Sequence, residues 1–183
     1  MTILHIDASI NGENSASRTI SSSIVEQLKN AQWGEEVVYR DLAANPIPHL
    51  TLDAFADSSV LDEFLAAETV VIGAPMYNFT LPTQLKAWID RIVVAGTTFR
   101  YAENGPEGLA KGKRVIIALA RGGIYSGASP ASALEHLETY LRGVFNFIGI
   151  EPEFVVAEGL NISPEQREES IRYALGETVR LAA

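Results

Sequence analysis

The stretch Thr69-Val70-Val71-Ile72-Gly73-Ala74-Pro75-Met76-Tyr77-Asn78-Phe79-Thr80-Leu81-Pro82 decides how this chain is read. An apolar run from Thr69 to Gly73 ends in a tight loop, and the loop feeds straight into a helical pattern beginning at Pro82. A strand, a loop and a helix in that order present the loop at the carboxyl edge of a sheet, where open α/β sheets bind their ligands. Met76, Tyr77, Asn78 and Phe79 place a thioether, two rings and an amide side by side. That set suits a flat heteroaromatic ligand better than a sugar or a metal ion, and it points to a flavin.

Working outward, short β-type runs alternate with helical patterns. Ile3 to Ala8 reads as a first strand, and Ile20, Ile24, Val25 and Leu28 stripe a first helix. Glu36 to Tyr39 is a short second strand, followed by the stiff loop Asn45-Pro46-Ile47-Pro48. Leu61, Phe64 and Leu65 mark a second helix, and the opening stretch supplies the third strand. Leu85, Trp88, Ile89, Ile92 and Val93 stripe a third helix, with Pro82 at its start, where a missing N–H costs nothing. Arg114 to Leu119 is a fourth strand after the turn Lys111-Gly112-Lys113. Leu134, Leu137, Leu141, Val144, Phe145 and Ile148 predict a long fourth helix. Glu153 to Ala157 is a fifth strand, and Ile171, Ala174, Leu175 and Thr178 stripe a last helix from near Ser163-Pro164.

Five strands, each followed by a helix, predict an α/β fold with a doubly wound five-stranded parallel sheet and helices on both faces. The strand order is either the flavodoxin-like 2-1-3-4-5 or another doubly wound order, and periodicity does not choose between them. At 183 residues the chain is expected to be one domain, 1–183, without linker or repeat.

Composition excludes whole classes of function. A net charge of −9 argues against a nucleic-acid surface, and no polybasic run invites an anionic membrane. With no cysteine there is no disulfide, thiolate nucleophile or Cys-ligated metal, so redox work requires a bound cofactor. The stretch Met1 to Asp7 lacks a basic n-region and is not expected to be a signal peptide. No apolar run approaches the ~20 residues that span a bilayer. The expected location is the cytoplasm.

Two further loops stand beside the first. Ser9-Ile10-Asn11-Gly12-Glu13-Asn14-Ser15-Ala16-Ser17 follows the first strand and lacks the G-x-G-x-x-G fingerprint, and no Gly-Lys-Ser/Thr phosphate loop occurs anywhere. It is a hydroxyl-rich loop opening onto a helix, where free N–H groups and the dipole favour a phosphate. The plainer account of Ser15 or Ser17 is an N-cap. Ala120-Arg121-Gly122-Gly123-Ile124-Tyr125 follows the fourth strand, and its paired glycines allow close backbone approach, though an ordinary turn explains them equally well. In the 2-1-3-4-5 order the three loops are neighbours at the switch point, as a mononucleotide site requires.

These residues resemble the FMN-dependent NADH:azoreductase and NAD(P)H:quinone reductase family of flavodoxin-like proteins along almost the whole chain. The resemblance rests on Arg40 to Pro48, Pro75 to Phe79, Thr83-Gln84-Leu85-Lys86 and Ala95 to Tyr101, and continues through Glu103 to Leu109, Arg121-Gly122-Gly123 and Phe147-Ile148-Gly149. It implies FMN with its phosphate at Ser9 and Ser15-Ala16-Ser17, its ring along Met76-Tyr77-Asn78-Phe79, and its pyrimidine side near Ala120-Arg121-Gly122-Gly123. It also implies a homodimer with flavin sites at the interface, where Tyr101 and Phe147 line the substrate space together with Tyr125. No side chain is singled out as catalytic, because the chemistry resides on FMN. NADH or NADPH would deliver a hydride and leave, and a quinone or azo compound would then accept two electrons at the same site.

Ala120 stands where the family usually has serine, and Tyr125 where it often has histidine, beside a small insertion around Ser126 to Ser132. The segment Leu50 to Ser59 looks shortened by about twenty residues, in a region that helps wall the family's substrate pocket. The rival reading is a flavodoxin-type carrier of single electrons, and a third is a regulatory protein that has lost its flavin. His5, His49 and His136 are expected to be structural or solvated, with no serine or metal partner by local spacing. Asp7 and Asp41 are expected to satisfy backbone donors, Trp88 to be core, and Lys86 and Asp90 to form an ordinary i, i+4 pair.

Overall fold

Strands that are apolar on both faces can lie only between two layers of helices, and here they do. The computed structural model describes residues 2–31 and 36–181; Met1, which heads the N-terminal stretch read above, lies outside them. Chain order runs β1 (Thr2–Asp7), α1 (Ala16–Asn30), β2 (Glu36–Asp41), α2 (Ser59–Ala66), β3 (Thr69–Pro75) and α3 (Thr83–Ile92). There follow β4 (Phe99–Ala102), β5 (Gly105–Gly108), β6 (Arg114–Ala120), α4 (Glu138–Phe147), β7 (Glu153–Ala157) and α5 (Pro164–Leu181).

The main sheet has the order β2-β1-β3-β6-β7, every pair parallel. With the β4–β5 ribbon set aside, that is the 2-1-3-4-5 order. Successive side chains of each strand serve opposite layers. Leu4, Ile6, Val70, Ile72, Ile117 and Leu119 pack with Phe64, Trp88, Leu141 and Phe145 of α2, α3 and α4. Ile3, Val71, Ile116, Ala118 and Val155 pack with Ile20, Ile24, Leu28 and Ala174 of α1 and α5. Each fully buried side chain of this size contributes about 1.5–3 kcal/mol. Trp88 is core as expected, its ring edge-on to Phe64 at 5.9 Å.

The structure corrects several expectations. The second helix buries Val60 and Phe64, while Leu65 is exposed, because the helix docks on α3 through the Phe64–Trp88 contact. The fourth helix is shorter than its leucine stripe suggested. The Glu135 carboxylate accepts from the N–H groups of Leu137, Glu138 and Thr139, so regular helix begins at Glu138 and Leu134 falls in a preceding 3-10 turn. The ribbon β4–β5 was not foreseen. It pairs Phe99 with Gly108 and docks on the end of α4, where the Ala110 N–H donates to the Ile148 carbonyl at 2.9 Å. β3 and β6 also run further than expected, so that Pro75 faces Ala120 across the ladder.

Asp41 accepts from the N–H groups of Ala43 and Ala44, as anticipated, but Asp7 takes side-chain donors instead, from Ser21 at 2.8 Å and Tyr39 at 3.1 Å. The fold also sets Ser21 Oγ 3.0 Å from His5 Nε2, a contact that local spacing could not reveal. Ser21 is fully buried and its hydroxyl is committed to Asp7, so the group is a structural network and not a nucleophile.

Candidate cofactor site

The carboxyl ends of β1, β3 and β6 open onto one groove with two compartments that share Met76, Gly122 and Asn161. The inner compartment, about 160 Å³, is lined by Ser9, Asn11, Asn14, Ser15, Ala16, Pro75, Tyr77, Ala120, Leu160 and Arg167 besides the shared residues. Ser15 is the N-cap of α1, its Oγ accepting from the Arg18 N–H at 3.3 Å. The first N–H groups of the helix, at Ala16 and Ser17, have no intrahelical acceptor. The cap reading and the phosphate reading of Ser15 therefore describe one geometry: the residue that caps the helix also lines the groove.

The loop after β1 is held in place from two directions. The Ile10 N–H donates to the Tyr77 hydroxyl at 3.1 Å, which ties it to the loop after β3. The Arg18 guanidinium donates to the Ser9 carbonyl at 2.7 Å and to both oxygens of Asp41 at 2.8 Å. The hydrogen bond from Arg18 holds the Asp41 carboxyl below the usual aspartate range. Behind it, burial and the neighbouring Asp7 push the Tyr39 phenol up to about 12.

The outer compartment, about 500 Å³, is lined by Asn78, Phe79, Gly123, Tyr125 and Ile162 with the shared residues. Asn78 and Phe79 adopt φ of 47° and 71°, inside a turn closed by reciprocal bonds between Tyr77 and Thr80. Consecutive non-glycine residues in this region are strained, and such strain clusters at ligand sites. The turn leaves the N–H groups of Asn78 and Phe79 without an acceptor among the described residues, as are those of Gly122 and Gly123. A Cβ on Gly122 would lie 2.5 Å from Asn161 Nδ2, so a side chain here would push the Asn161 amide from its present place. Phe79 and Tyr125 face one another edge-on at 6.4 Å across the two loops.

Most of the residues singled out from the sequence meet here: Ser9, Ser15, Ala16, Met76, Tyr77, Asn78, Phe79, Ala120, Gly122, Gly123 and Tyr125. Ser17 is fully buried behind Ser15, their hydroxyls 3.1 Å apart. The Arg121 side chain lies outside the groove lining, 1% exposed, with its guanidinium on Glu138 at 2.7 Å and near Glu135 and Glu158. Tyr101 and Phe147 are not in the groove of this chain either. They flank Phe99 on the ribbon, and Tyr101 is 77% exposed.

Sequence reasoning missed a fourth loop. Gly159-Leu160-Asn161-Ile162-Ser163 follows β7, and its N–H groups at Gly159, Leu160 and Asn161 donate to the carbonyls of Gly123, Arg121 and Gly122. It brings Asn161 into both compartments and leads to Arg167. The signal was present, since this too is a loop between a strand and a helix.

Hydroxyls, helix N–H groups and a cation at one end, with thioether and aromatic surface at the other, fit an elongated ligand with an anionic tail and a planar head. A five-stranded parallel sheet of order 2-1-3-4-5 with such a groove defines a flavodoxin-like protein, and the chain belongs to the flavodoxin-like fold family, matching it over residues 1–181. It is 52% identical over 201 residues to FMN-dependent NADH:quinone oxidoreductase 2 of Bradyrhizobium diazoefficiens, covering 100% of both chains. It is 55% identical to FMN-dependent NADH:quinone oxidoreductase of Rhizobium meliloti, over 95% of this chain and 93% of that one. Among solved structures, an FMN-dependent NADH-azoreductase from Bacillus anthracis str. Ames Ancestor in complex with FMN superposes with a TM-score of 0.86 at 27% identity, covering 100% of this chain and 99% of that one.

Proposed function

We propose that this chain is an FMN-dependent NAD(P)H oxidoreductase of one domain that reduces quinones and azo compounds and works in the cytoplasm as a homodimer. The observation that carries the reading is the groove itself, polar at the α1 end, aromatic at the other, and lined by no carboxylate among the described residues. When bound, FMN supplies the electron chemistry that a cysteine-free chain lacks. The chain supplies position and charge. Ser9, Ser15 and the first N–H groups of α1, backed by Ser17, would hold its phosphate. Met76 to Phe79 would offer their thioether and aromatic surface to its ring, and the free N–H groups of Asn78, Gly122 and Gly123 would stabilise negative charge on it. Arg121 acts through the placement of Gly122 and Gly123.

Tyr125 and Phe79 form the wall over which a planar acceptor stacks. Tyr101 and Phe147 belong to the substrate space from the second subunit, and the exposure of Tyr101 supports that reading. Sedimentation at micromolar concentration tests it, and a monomer would refute the interface site. No helix among the described residues is long and apolar enough to cross a membrane. The electron-carrier alternative is not favoured by relatives that bear oxidoreductase names.

The decisive experiment is a visible spectrum of the pure protein, followed by anaerobic NADH and then menadione. The expected result is a yellow protein bleached directly by NADH and recoloured by menadione. Bleaching only through an added reductase would restore the carrier reading, and colourless protein that takes up no FMN would favour the regulatory one.

A further inference from the structure

We infer that Arg167, near the start of α5, is the charge partner of the cofactor's phosphate and the residue by which the groove selects phosphorylated over unphosphorylated flavin. The inference rests on the FMN reading above. Among the described residues Arg167 is the one Lys or Arg lining either compartment, and no Asp or Glu lines them. In a chain of net charge −9 a dianionic ligand enters a repulsive mean field, so a cation at its seat has a large effect.

The cation is placed and uncommitted. It shares the inner compartment with Ser9, Ser15 and Ala16. One guanidinium nitrogen donates to the Asn14 carbonyl at 2.8 Å, immediately before the α1 cap. A guanidinium carries five N–H donors in a fixed fork, so most remain for phosphate oxygens. No described carboxylate pairs with Arg167. The other arginines near the groove are spent: Arg18 on Asp41, and Arg121 on Glu138 with Glu135 and Glu158 close by.

Arg167 is also anchored. Its N–H donates to the Ser163 carbonyl at 3.0 Å, and the loop before Ser163 is bonded through Leu160 and Asn161 to the backbone of Arg121 and Gly122. The cation is therefore held against the groove by the same bonds that hold the glycine wall. Serine hydroxyls and helix N–H groups supply only partial charges, whereas charge-assisted bonds from arginine to phosphate are about twice as strong as neutral ones.

The test uses the full chain freed of flavin, titrated with FMN and with riboflavin while flavin fluorescence is followed, at low and high salt. Wild type is expected to prefer FMN, with an affinity that falls as salt rises. Arg167→Leu should lose roughly 10- to 100-fold in FMN affinity, keep riboflavin affinity within about twofold, and show a flatter salt dependence. Arg167→Lys should recover part of the loss, because the charge returns without the fork. Equal losses for FMN and riboflavin would mean a purely structural role and overturn the assignment, as would unchanged FMN affinity. Wild-type protein that takes up neither flavin overturns the cofactor reading and this inference with it.

Discussion

Arg121 and Arg167 sit on either side of the same glycine wall, joined through the bonds between Leu160–Asn161 and Arg121–Gly122, yet their surroundings are opposite. Arg121 is buried, with Glu138 in contact and Glu135 and Glu158 close to its guanidinium. Glu138 in turn pairs with Arg142. Arg167 is partly buried in a compartment that no acid lines among the described residues. A cation whose charge is already met by the protein holds the fold together, and one whose charge is unmet is left for a ligand. Composition at the motif level points the other way: Arg121 stands inside the Ala-Arg-Gly-Gly loop and Arg167 stands in no motif at all.

The comparison breaks most visibly at Arg121. Its carboxylates govern both walls of the groove. Glu158 accepts from the N–H groups of Tyr125 and Ser126 and from the Ser126 hydroxyl, while Glu135 caps α4. The residue after Glu135, His136, donates its N–H to the Phe79 carbonyl at 3.0 Å. Arg121→Met leaves three partly buried carboxylates without their cation and, with some of the penalty screened by water, is expected to cost roughly 2–3 kcal/mol in urea unfolding. A loss near zero would show that the knot is not structural.

The same knot fixes a pH dependence. Burial pushes the Glu135 and Glu158 carboxyls up. Hydrogen bonds to Glu135 from Glu138 and Thr139, and to Glu158 from Ser126 and Tyr125, together with Arg121, outweigh burial and leave both below the ordinary range. A depressed carboxyl contributes stability above its unfolded pKa, about 4.3, and loses it as pH falls through the lower folded value. Wild-type stability should therefore decline below roughly pH 4.5, and less steeply in Arg121→Met.

How much of this was legible follows from what is local. The strand-loop-helix units after β1, β3 and β6 are contiguous in sequence, so Ser15, Asn78 and Gly122 announce themselves. Which side of a strand end a residue faces is also decidable in principle: Ala120 and Gly122 line the groove while Arg121 between them faces away, as period-two alternation requires. Reading the loop as a set of ligand contacts hid that alternation. The ribbon β4–β5 was illegible because Phe99-Arg100-Tyr101-Ala102 and Gly105-Pro106-Glu107-Gly108 are too short and polar to show a pattern. Arg167 was illegible because it lies 153 residues from the Asn14 carbonyl it bonds, a contact that only the packing of α5 on α1 creates.

At the groove the expected effects are smaller in stability and larger in ligand. Asn78 sits at φ 47°, which asparagine tolerates and a bulky apolar residue does not. Asn78→Leu should cost about 1 kcal/mol of stability and weaken FMN retention about tenfold. Unchanged flavin content and spectrum would refute the placement of Asn78 on the ring. Set beside Arg121→Met, this variant separates a wall residue proposed to touch ligand from one proposed only to position the wall.

The smallest expected effect sharpens the contrast from outside. Arg142 bonds Glu138 at 3.0 Å and Glu151 at 2.9 Å, so like Arg121 it sits among several carboxylates, two against three. Its side chain is 43% exposed against 2% for Arg121, and water screens what the interior does not. Its ion pairs should therefore be worth far less than those of Arg121: Arg142→Ala is expected to change unfolding free energy by less than about 1 kcal/mol, and flavin affinity not at all. A loss approaching that of Arg121→Met would mean that Arg142 holds Glu138 in place for Arg121. The knot would then extend to the surface, and burial alone would not distinguish a structural arginine from a solvated one in this chain.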